Sequence, residues 1–183
     1  MEILDTSIAD LKVVKSLPHL DARGAFVRLF CAEELRPLLG ERLIAQINQS
    51  RTTHAGAVRG MHFQRPPHAE MKMVRCLRGR VWDVAVDLRA GSPTFLRWHA
   101  QALAQDDAQM LVIPEGFAHG FQALKPDSEL LYLHTAFHDQ PSEGGLRHDD
   151  PRLAIAWPMP PQDLSVRDLS HSLLDADFTG IVI

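Results

Sequence analysis

The chain has 183 residues, of which 45% are hydrophobic and 23% charged. This length and composition predict one globular domain spanning residues 1–183 and leave little room for a second. Nineteen Lys and Arg against 23 Asp and Glu give a formal charge of −4, which excludes a general basic field for binding nucleic acid or an anionic membrane.

Short apolar or alternating segments follow one another along the chain, separated by turns rich in Gly and Pro. This pattern predicts many strands, and their regular spacing predicts a sandwich or a barrel. The predicted strands are 11–15, 25–30, 43–48, 71–77, 81–88, 95–103, 110–113 and 130–136. Residues 81–88 are apolar on one face and half apolar on the other, which indicates a central strand.

One tight turn and two short helices are also predicted. Gly79 predicts a tight hairpin between the strands at 71–77 and 81–88. One short helix is predicted at 32–39, where Pro37 disturbs it, and another at 164–174, where Ser165 is a candidate N-cap.

Two of the ten histidines, His62 and His119, alternate with apolar residues in strand-like segments. A histidine satisfied by core contacts is the simple explanation for each. If the segment is extended, His62 shares a face with Gly60 and Gln64, while Arg59 faces the other side. A polar, titratable face that points inward favours a ligand site. The other histidines considered are expected to be exposed: His19, His99, His148 and His171.

Short motifs around both histidines resemble those of the cupin superfamily. They are Gly60, His62, Glu70 and Gly79, followed by Pro114-x-Gly116-x-x-His119. In metal-binding cupins the first motif carries His-x-His, and Gln64 stands here at the second His. A metal-dependent oxygenase or isomerase, with His62, Glu70 and His119 as ligands for iron or manganese, is the second hypothesis.

Longer stretches resemble the dTDP-4-dehydrorhamnose 3,5-epimerase family, in the family's order over residues 20–170. The stretches that carry the resemblance include Asp21-Ala22-Arg23-Gly24-Ala25-Phe26, Arg59-Gly60-Met61-His62-Phe63-Gln64, Ile113-Pro114-Glu115-Gly116-Phe117-Ala118-His119-Gly120-Phe121 and Leu164-Ser165-x-x-Asp168. The resemblance implies an all-β protein with a cupin-type double-stranded β-helix, a jelly-roll barrel, and a few short helices at the termini.

The resemblance also implies an isomerase that inverts C3, C5 or both of a nucleotide-linked 4-keto-6-deoxyhexose through an enolate, in deoxysugar biosynthesis for a cell-surface polysaccharide or a natural product. It implies no cofactor and no metal. His62 matches the base, with Asp168 as its partner, and Tyr132 matches the acid on the opposite face. Lys72 matches the donor to the developing charge on O4.

The remaining site residues are implied as substrate contacts. Arg23 and Arg59 match the diphosphate contacts. The other implied contacts are Phe26, Gln46, Asn48, His119, His138 and Glu143. Because Arg23 and Phe26 are expected to reach the neighbouring subunit's site, the resemblance implies a homodimer.

The chain departs from the family pattern in three places. After Tyr132 the family continues Lys-Thr-Thr-Asp-Tyr-Tyr, whereas here residues 133–138 read LHTAFH, so that His138 replaces the second functional tyrosine. Arg28 stands where an acidic residue is common, and Glu70-Met71 replaces Gln-Gly before Lys72. A single-centre epimerase acting on a non-thymidine sugar, such as a CDP-sugar, is therefore an alternative, and a non-catalytic sugar-binding cupin is another.

The cysteines and the N-terminus complete the expectations. Cys31 and Cys76 are too few and too far apart for a disulfide framework or a CxxC metal site, so free thiols are expected. The N-terminus lacks the pattern of a signal peptide, and no apolar run approaches the roughly 20 residues that span a bilayer. A soluble, cytoplasmic protein is expected.

Overall fold

A computed structural model describes residues 1–183 and contains thirteen strands and two short α-helices. The strands are β1 (Glu2–Asp5), β2 (Lys12–Lys15), β3 (His19–Asp21), β4 (Gly24–Phe26), β5 (Gln46–Thr52), β6 (Val58–Gln64), β7 (Lys72–Arg78), β8 (Arg80–Asp87), β9 (Trp98–Ala104), β10 (Gln109–Ile113), β11 (Phe117–Ala123), β12 (Ser128–His134) and β13 (Glu143–Gly145). The helices are α1 (Arg36–Leu39) and α2 (Val166–Ser170), and a 3-10 turn spans Gln140–Ser142.

Two antiparallel sheets are the body of the molecule. The first has the order β1-β2-β10-β7-β12-β5, the second has the order β13-β6-β11-β8-β9, and β3 pairs only with β4. Apolar side chains of both sheets, among them Val74, Leu111, Val81 and Phe121, form one buried cluster. The predicted all-β jelly-roll fold is confirmed, because alternate residues of facing strands supply a common core.

Two further apolar clusters cover the outer faces of the sheets. Met73 and Met110 of the first sheet pack with Leu35 and Leu39 from the region of α1. Val84 and Val86 of the second sheet pack with residues of the C-terminal segment, including Leu153. Strand β8 is therefore buried on both faces, as its sequence pattern predicted.

The predicted hairpin at Gly79 is wrong. Gly79 does have a positive φ, of 77°, but β7 pairs with β10 and β12 while β8 pairs with β9 and β11. The turn therefore carries the chain from one sheet to the other. The apolar pattern of β7 and β8 fits both a hairpin within one sheet and a connection between two sheets, because each strand buries both of its faces.

Several predicted elements are shorter than expected. The strand predicted at 25–30 ends at Phe26, and the helix predicted at 32–39 covers only 36–39. Pro37 lies in the first turn of α1, where its missing N–H costs no helical hydrogen bond. The second helix covers 166–170, and its predicted N-cap is confirmed, since the Ser165 side chain accepts a hydrogen bond from the backbone N–H of Asp168.

The expected exposure of four histidines is only partly confirmed. His19 is exposed, but His99 and His171 are half-buried and His148 is buried. His171 packs so closely on Gly145 that a Cβ there would overlap the imidazole ring. Both cysteines are free thiols, as predicted. No helix is both long and apolar enough to cross a membrane.

Two glycines allow β6 and β11 to approach each other beside His62 and His119, which face each other across the two strands. A Cβ on Gly60 would lie 2.5 Å from the Cα of Gly120, and Gly60 has a φ of +126°. An L side chain at this position would therefore meet both backbone strain and a backbone clash.

We predict that Gly60→Ala lowers the free energy of unfolding by about 3 kcal/mol, from strain and overpacking together. The matched control is Gly91→Ala, because Gly91 has a φ of +74° but no atom within 4 Å of the position that a Cβ would take. Strain alone should cost that variant about 1 kcal/mol. Chemical denaturation measures both, and equal losses would contradict the close approach of the strands.

Candidate active site

A cleft of about 640 Å³ is lined by residues of both sheets. It brings together ten of the twelve site residues expected from the sequence. These ten are Gln46, Asn48, Arg59, His62, Lys72, His119, Tyr132, His138, Glu143 and Asp168. Arg23 and Phe26 do not line it.

His62 and Asp168 form a hydrogen-bonded dyad, although 106 residues separate them in the chain. The distance from His62 Nε2 to Asp168 Oδ1 is 2.7 Å. Asp168 is buried, and the N-cap at Ser165 starts the short helix that carries it. Burial raises the pKa of Asp168, but the hydrogen bond and charge of His62 outweigh it, so that this pKa lies below its usual range.

The dyad fixes which nitrogen of His62 is available to a ligand. A carboxylate accepts hydrogen bonds, so Nε2 carries the proton that Asp168 binds. The other ring nitrogen, Nδ1, has no protein partner and His62 is half-buried at the wall of the cleft. The imidazole can therefore accept a proton at Nδ1.

Tyr132 enters the same cleft from the other sheet. It lies on β12, and its hydroxyl is 2.9 Å from the Ser50 hydroxyl. Burial raises the pKa of Tyr132 well above its usual value, so the phenol keeps its proton at neutral pH. A proton acceptor on β6 and a proton donor on β12 thus face one cavity from opposite sheets.

Lys72, on the same sheet as Tyr132, supplies a cation to the cleft. Its ammonium lies 3.1 Å from Glu70, and both side chains are nearly buried. Glu70 also binds Nδ1 of His134 at 2.8 Å. Burial raises the pKa of Glu70, but the hydrogen bond from His134 and the charge of Lys72 outweigh this and leave the pKa below its usual range.

The structure does not bring together the metal ligands of the second hypothesis. His119 donates a hydrogen bond from Nε2 to Asp83 at 2.8 Å, and Glu70 is held by Lys72 and His134. The one cluster with metal-ligand spacing is a different set, His62, Asp168 and His171, whose ligand atoms lie within 4.8 Å of one another.

Arg59 lines the cleft together with His62, contrary to the expectation that they face opposite sides. The cause is a register shift: three residue steps on β6, from Arg59 to His62, oppose two on β11, from Phe121 to His119. Such a bulge turns a side chain to the other face. Arg59 has no carboxylate partner and donates to Thr52 Oγ1 at 3.0 Å, so its charge is available to an anion.

The mouth of the cleft contains residues that the sequence patterns did not indicate. Arg167 lines the cleft and forms an ion pair with Glu143 at 2.5 Å, and Glu143 lies 3.4 Å from His138 Nε2. Arg167 directly precedes Asp168 in the matching motif, which was the only sequence signal for it. Ser50 gave none, and the only signal for His134 was its place in segment 133–138, where the sequence departs from the family pattern.

Arg23 and Phe26 lie on the β3–β4 hairpin, which pairs with neither sheet. The Arg23 side chain is 90% exposed and contacts Asp21, and Phe26 is 70% exposed. Neither residue reaches the cleft of its own chain.

The sequence model of the family described as dTDP-4-dehydrorhamnose 3,5-epimerase matches residues 5–176. A dTDP-4-dehydrorhamnose 3,5-epimerase of Sinorhizobium fredii is 41% identical over 169 residues, covering 92% of this chain and 87% of that protein.

Solved structures are similar as well. The dTDP-6-deoxy-D-glucose-3,5-epimerase of Legionella pneumophila, in complex with dTDP-4-keto-L-rhamnose, has a TM-score of 0.91 and 36% identity, covering 100% of this chain and 98% of that one. A 3′-monoepimerase of Streptomyces bikiniensis, in complex with dTDP-quinovose, has a TM-score of 0.86 and 32% identity, covering 93% and 86%.

The lowered pKa of Asp168 predicts a pH-dependent contribution to stability. A carboxylate whose pKa is lowered by folding stabilises the protein above its unfolded pKa of about 3.9 and loses that contribution as the pH falls through the folded pKa. Asp168→Asn should therefore be less stable than wild type at pH 7, with a difference that narrows below about pH 4.

Denaturant unfolding across this pH range measures the difference. Asp177→Asn is the control, because Asp177 is exposed and makes no side-chain hydrogen bond or ion pair, and it should follow wild type throughout. A gap between wild type and Asp168→Asn that stays constant down to pH 3 would contradict the paired carboxylate.

Proposed function

The chain belongs to the dTDP-4-dehydrorhamnose 3,5-epimerase family, and we propose that it inverts C3, C5 or both of a nucleotide-linked 4-keto-6-deoxyhexose, using His62 as base and Tyr132 as acid. This is an isomerase reaction of deoxysugar biosynthesis. The observation that carries the assignment of residues is the single cleft that a histidine–aspartate dyad and a partly buried phenol enter from facing sheets.

The first step is removal of a proton from a carbon next to the 4-keto group. His62 accepts this proton at Nδ1, and the C–H electron pair moves into the ring to form an enolate. Asp168, hydrogen-bonded to Nε2, stabilises the imidazolium that results. The carboxylate lies 2.7 Å from the ring, so no reorganisation is needed when the charge appears.

The second step returns a proton to the opposite face. Lys72 stabilises the negative charge on O4 while the enolate exists, since an ammonium is a compact charge with three donors. Tyr132 then donates its phenolic proton to the carbon from the other side, and the Ser50 hydroxyl, 2.9 Å away, stabilises the phenolate left behind. Inversion follows because removal and return occur from different sheets.

The nucleotide and diphosphate occupy the remaining part of the cleft in this proposal. Arg59, which has no carboxylate partner, binds the diphosphate. Gln46 and Asn48 on β5 offer amide groups to the nucleotide or the sugar, and His119 completes the polar lining. dTDP is the nucleotide bound by the Legionella and Streptomyces relatives, and we propose dTDP or another nucleoside diphosphate here.

Inversion of one centre only is the second candidate. The similar 3′-monoepimerase shows that this fold also serves single-centre chemistry. His138 stands at the mouth of the cleft, where it contacts Gln46 and Glu143. Because the family carries a tyrosine at this position, the substitution changes the surface that orients the nucleotide, which decides the sugar carbon presented to the base.

We further propose a homodimer in which the β3–β4 hairpin enters the neighbouring subunit's site. The hairpin exposes Phe26 and Arg23, and it pairs with neither sheet of its own chain. An exposed aromatic beside a guanidinium suits stacking and phosphate binding in a second cleft. The edge strand β5 also exposes Ile47, which offers apolar surface for the same contact.

We predict that the protein, in deuterated water and without added metal, exchanges the C3 or C5 proton of a dTDP- or CDP-linked 4-keto-6-deoxyhexose. His62→Asn should lower the exchange rate by a factor of about 10³, because the general base is lost. Tyr132→Phe should lower the rate at which inverted product forms more than it lowers the rate at which the abstracted proton exchanges. NMR follows both quantities.

Two controls accompany this prediction: removal of metal by a chelator, and substitution of a histidine outside the cleft. Chelator treatment should leave exchange unchanged, and His68→Asn, an exposed histidine that does not line the cleft, should match wild type. Absence of exchange over the whole substrate panel would refute the function, and equal loss of both quantities in Tyr132→Phe would refute the division of roles.

The shared site predicts complementation between two variants that are each impaired, measured at a substrate concentration too low for Arg23→Ala to turn over. Arg23→Ala should weaken diphosphate binding and His62→Asn should abolish proton removal, but in a mixed dimer one of the two clefts contains neither change. Refolding the two variants together at equal amounts should restore about a quarter of wild-type activity, since half the dimers are mixed and each has one intact site. Activity that stays at the sum of the two variants would show that each cleft is built from one chain.

A further inference from the structure

Glu70 is a nearly buried carboxylate in the cleft that takes no part in the proposed proton transfers. Its side chain is 7% exposed, and it contacts the Lys72 ammonium at 3.1 Å and His134 Nδ1 at 2.8 Å. Burying a carboxylate is costly unless it is paired and hydrogen-bonded. The two contacts satisfy the charge and the hydrogen-bonding capacity of the Glu70 carboxylate. They also restrict the motion of the Lys72 and His134 side chains.

His134, on β12, connects this carboxylate to the neighbouring strand β5. It lies directly across from Lys72 in the pairing of β12 with β7. Because Nδ1 donates to Glu70, Nε2 accepts from the side-chain amide of Asn48, at 3.3 Å. The ring also stacks on Tyr132, with 6.1 Å between centroids and 21° between planes.

These contacts form one chain, Asn48–His134–Glu70–Lys72, across the neighbouring strands β5, β12 and β7. Glu70 and His134 both lie in segments where this sequence departs from the family pattern. The two departures contact each other, which indicates that they act as a pair rather than as separate changes.

We propose that Glu70 and His134 are positioning residues for Lys72: the carboxylate holds the ammonium, and His134 holds the carboxylate. This inference rests on the proposed function, in which Lys72 stabilises charge on O4. A lysine side chain has a flexible four-carbon stem, and fixing it before the reaction removes an entropic cost from the transition state. One ammonium donor binds Glu70, and two remain for the substrate oxygen.

A positioning pair and a merely structural ion pair predict different kinetics. Charge on O4 exists in the enolate and not in the bound ketone, so a misplaced Lys72 lowers kcat and leaves KM almost unchanged. An ion pair that only supports the fold would change thermal stability and leave the kinetics of the folded protein as they are. The split between kcat and KM therefore separates the two roles.

The experiment measures deuterium exchange on the dTDP-linked 4-keto-6-deoxyhexose for wild type, Glu70→Ala, Glu70→Gln, His134→Ala and the double variant with Ala at both positions. Glu70→Ala should lower kcat about tenfold, and His134→Ala about threefold, with KM within a factor of about two. Glu70→Gln retains the side-chain volume and one acceptor, so it should fold and lose less activity than Glu70→Ala.

The double variant tests whether His134 acts on Lys72 through Glu70. If His134 acts through Glu70, its removal has no further effect once Glu70 is gone, and the double variant should match Glu70→Ala. The matched control is Glu129→Ala, because Glu129 is a partly buried glutamate of the same sheet that pairs with Arg78 and lies outside the cleft. It should retain wild-type kinetics.

The proposal would be overturned if the kcat losses of the two single variants multiplied in the double variant. It would also be overturned if both Glu70 variants kept the wild-type kcat. A second readout needs no turnover: the ¹⁵N chemical shifts of the His134 ring in the ligand-free protein should change in Glu70→Gln and not in Glu129→Ala. An unchanged His134 spectrum would also overturn it. Failure of the proposed function is distinct, because wild type itself would then show no exchange.

Discussion

The partly buried hydrogen bond between His62 and Asp168 is the contact on which the site depends. It joins a strand of the second sheet to a helix of only five residues near the end of the chain. The helix is too short to be stable alone, so its position is set by the N-cap at Ser165 and by this hydrogen bond. One interaction therefore fixes the tautomer of the base and closes one wall of the cleft.

The two sheets divide the chemistry between them. The second sheet carries His62, Arg59 and the His119–Asp83 pair, while the first sheet carries Tyr132 and Lys72. A jelly roll keeps its facing sheets about 10 Å apart, which leaves space for a sugar ring between side chains that reach it from both sides. The proposed proton transfer on opposite faces of the sugar would use this sandwich architecture directly.

The polar residues of the cleft are held by one another rather than by water alone. Asp83 and Glu70 are carboxylates with little exposure, and each binds a histidine of the cleft. In such surroundings a satisfied network is rigid, since breaking one contact leaves a buried charge unpaired. The order of the cleft before substrate arrives is a consequence of this pairing.

The sequence by itself determined the fold class, the central strand β8, the N-cap at Ser165 and the identity of ten residues that line the cleft, because these follow from local apolar patterns and from motifs that resemble a known family. Only the tertiary structure decided how β7 and β8 are distributed between the sheets, why Arg59 turns toward the cleft, and that His134 meets Glu70. The physical reason is that strand pairing, register shifts and contacts between distant segments depend on which strands become neighbours. Alternation along a single strand carries no information about that choice.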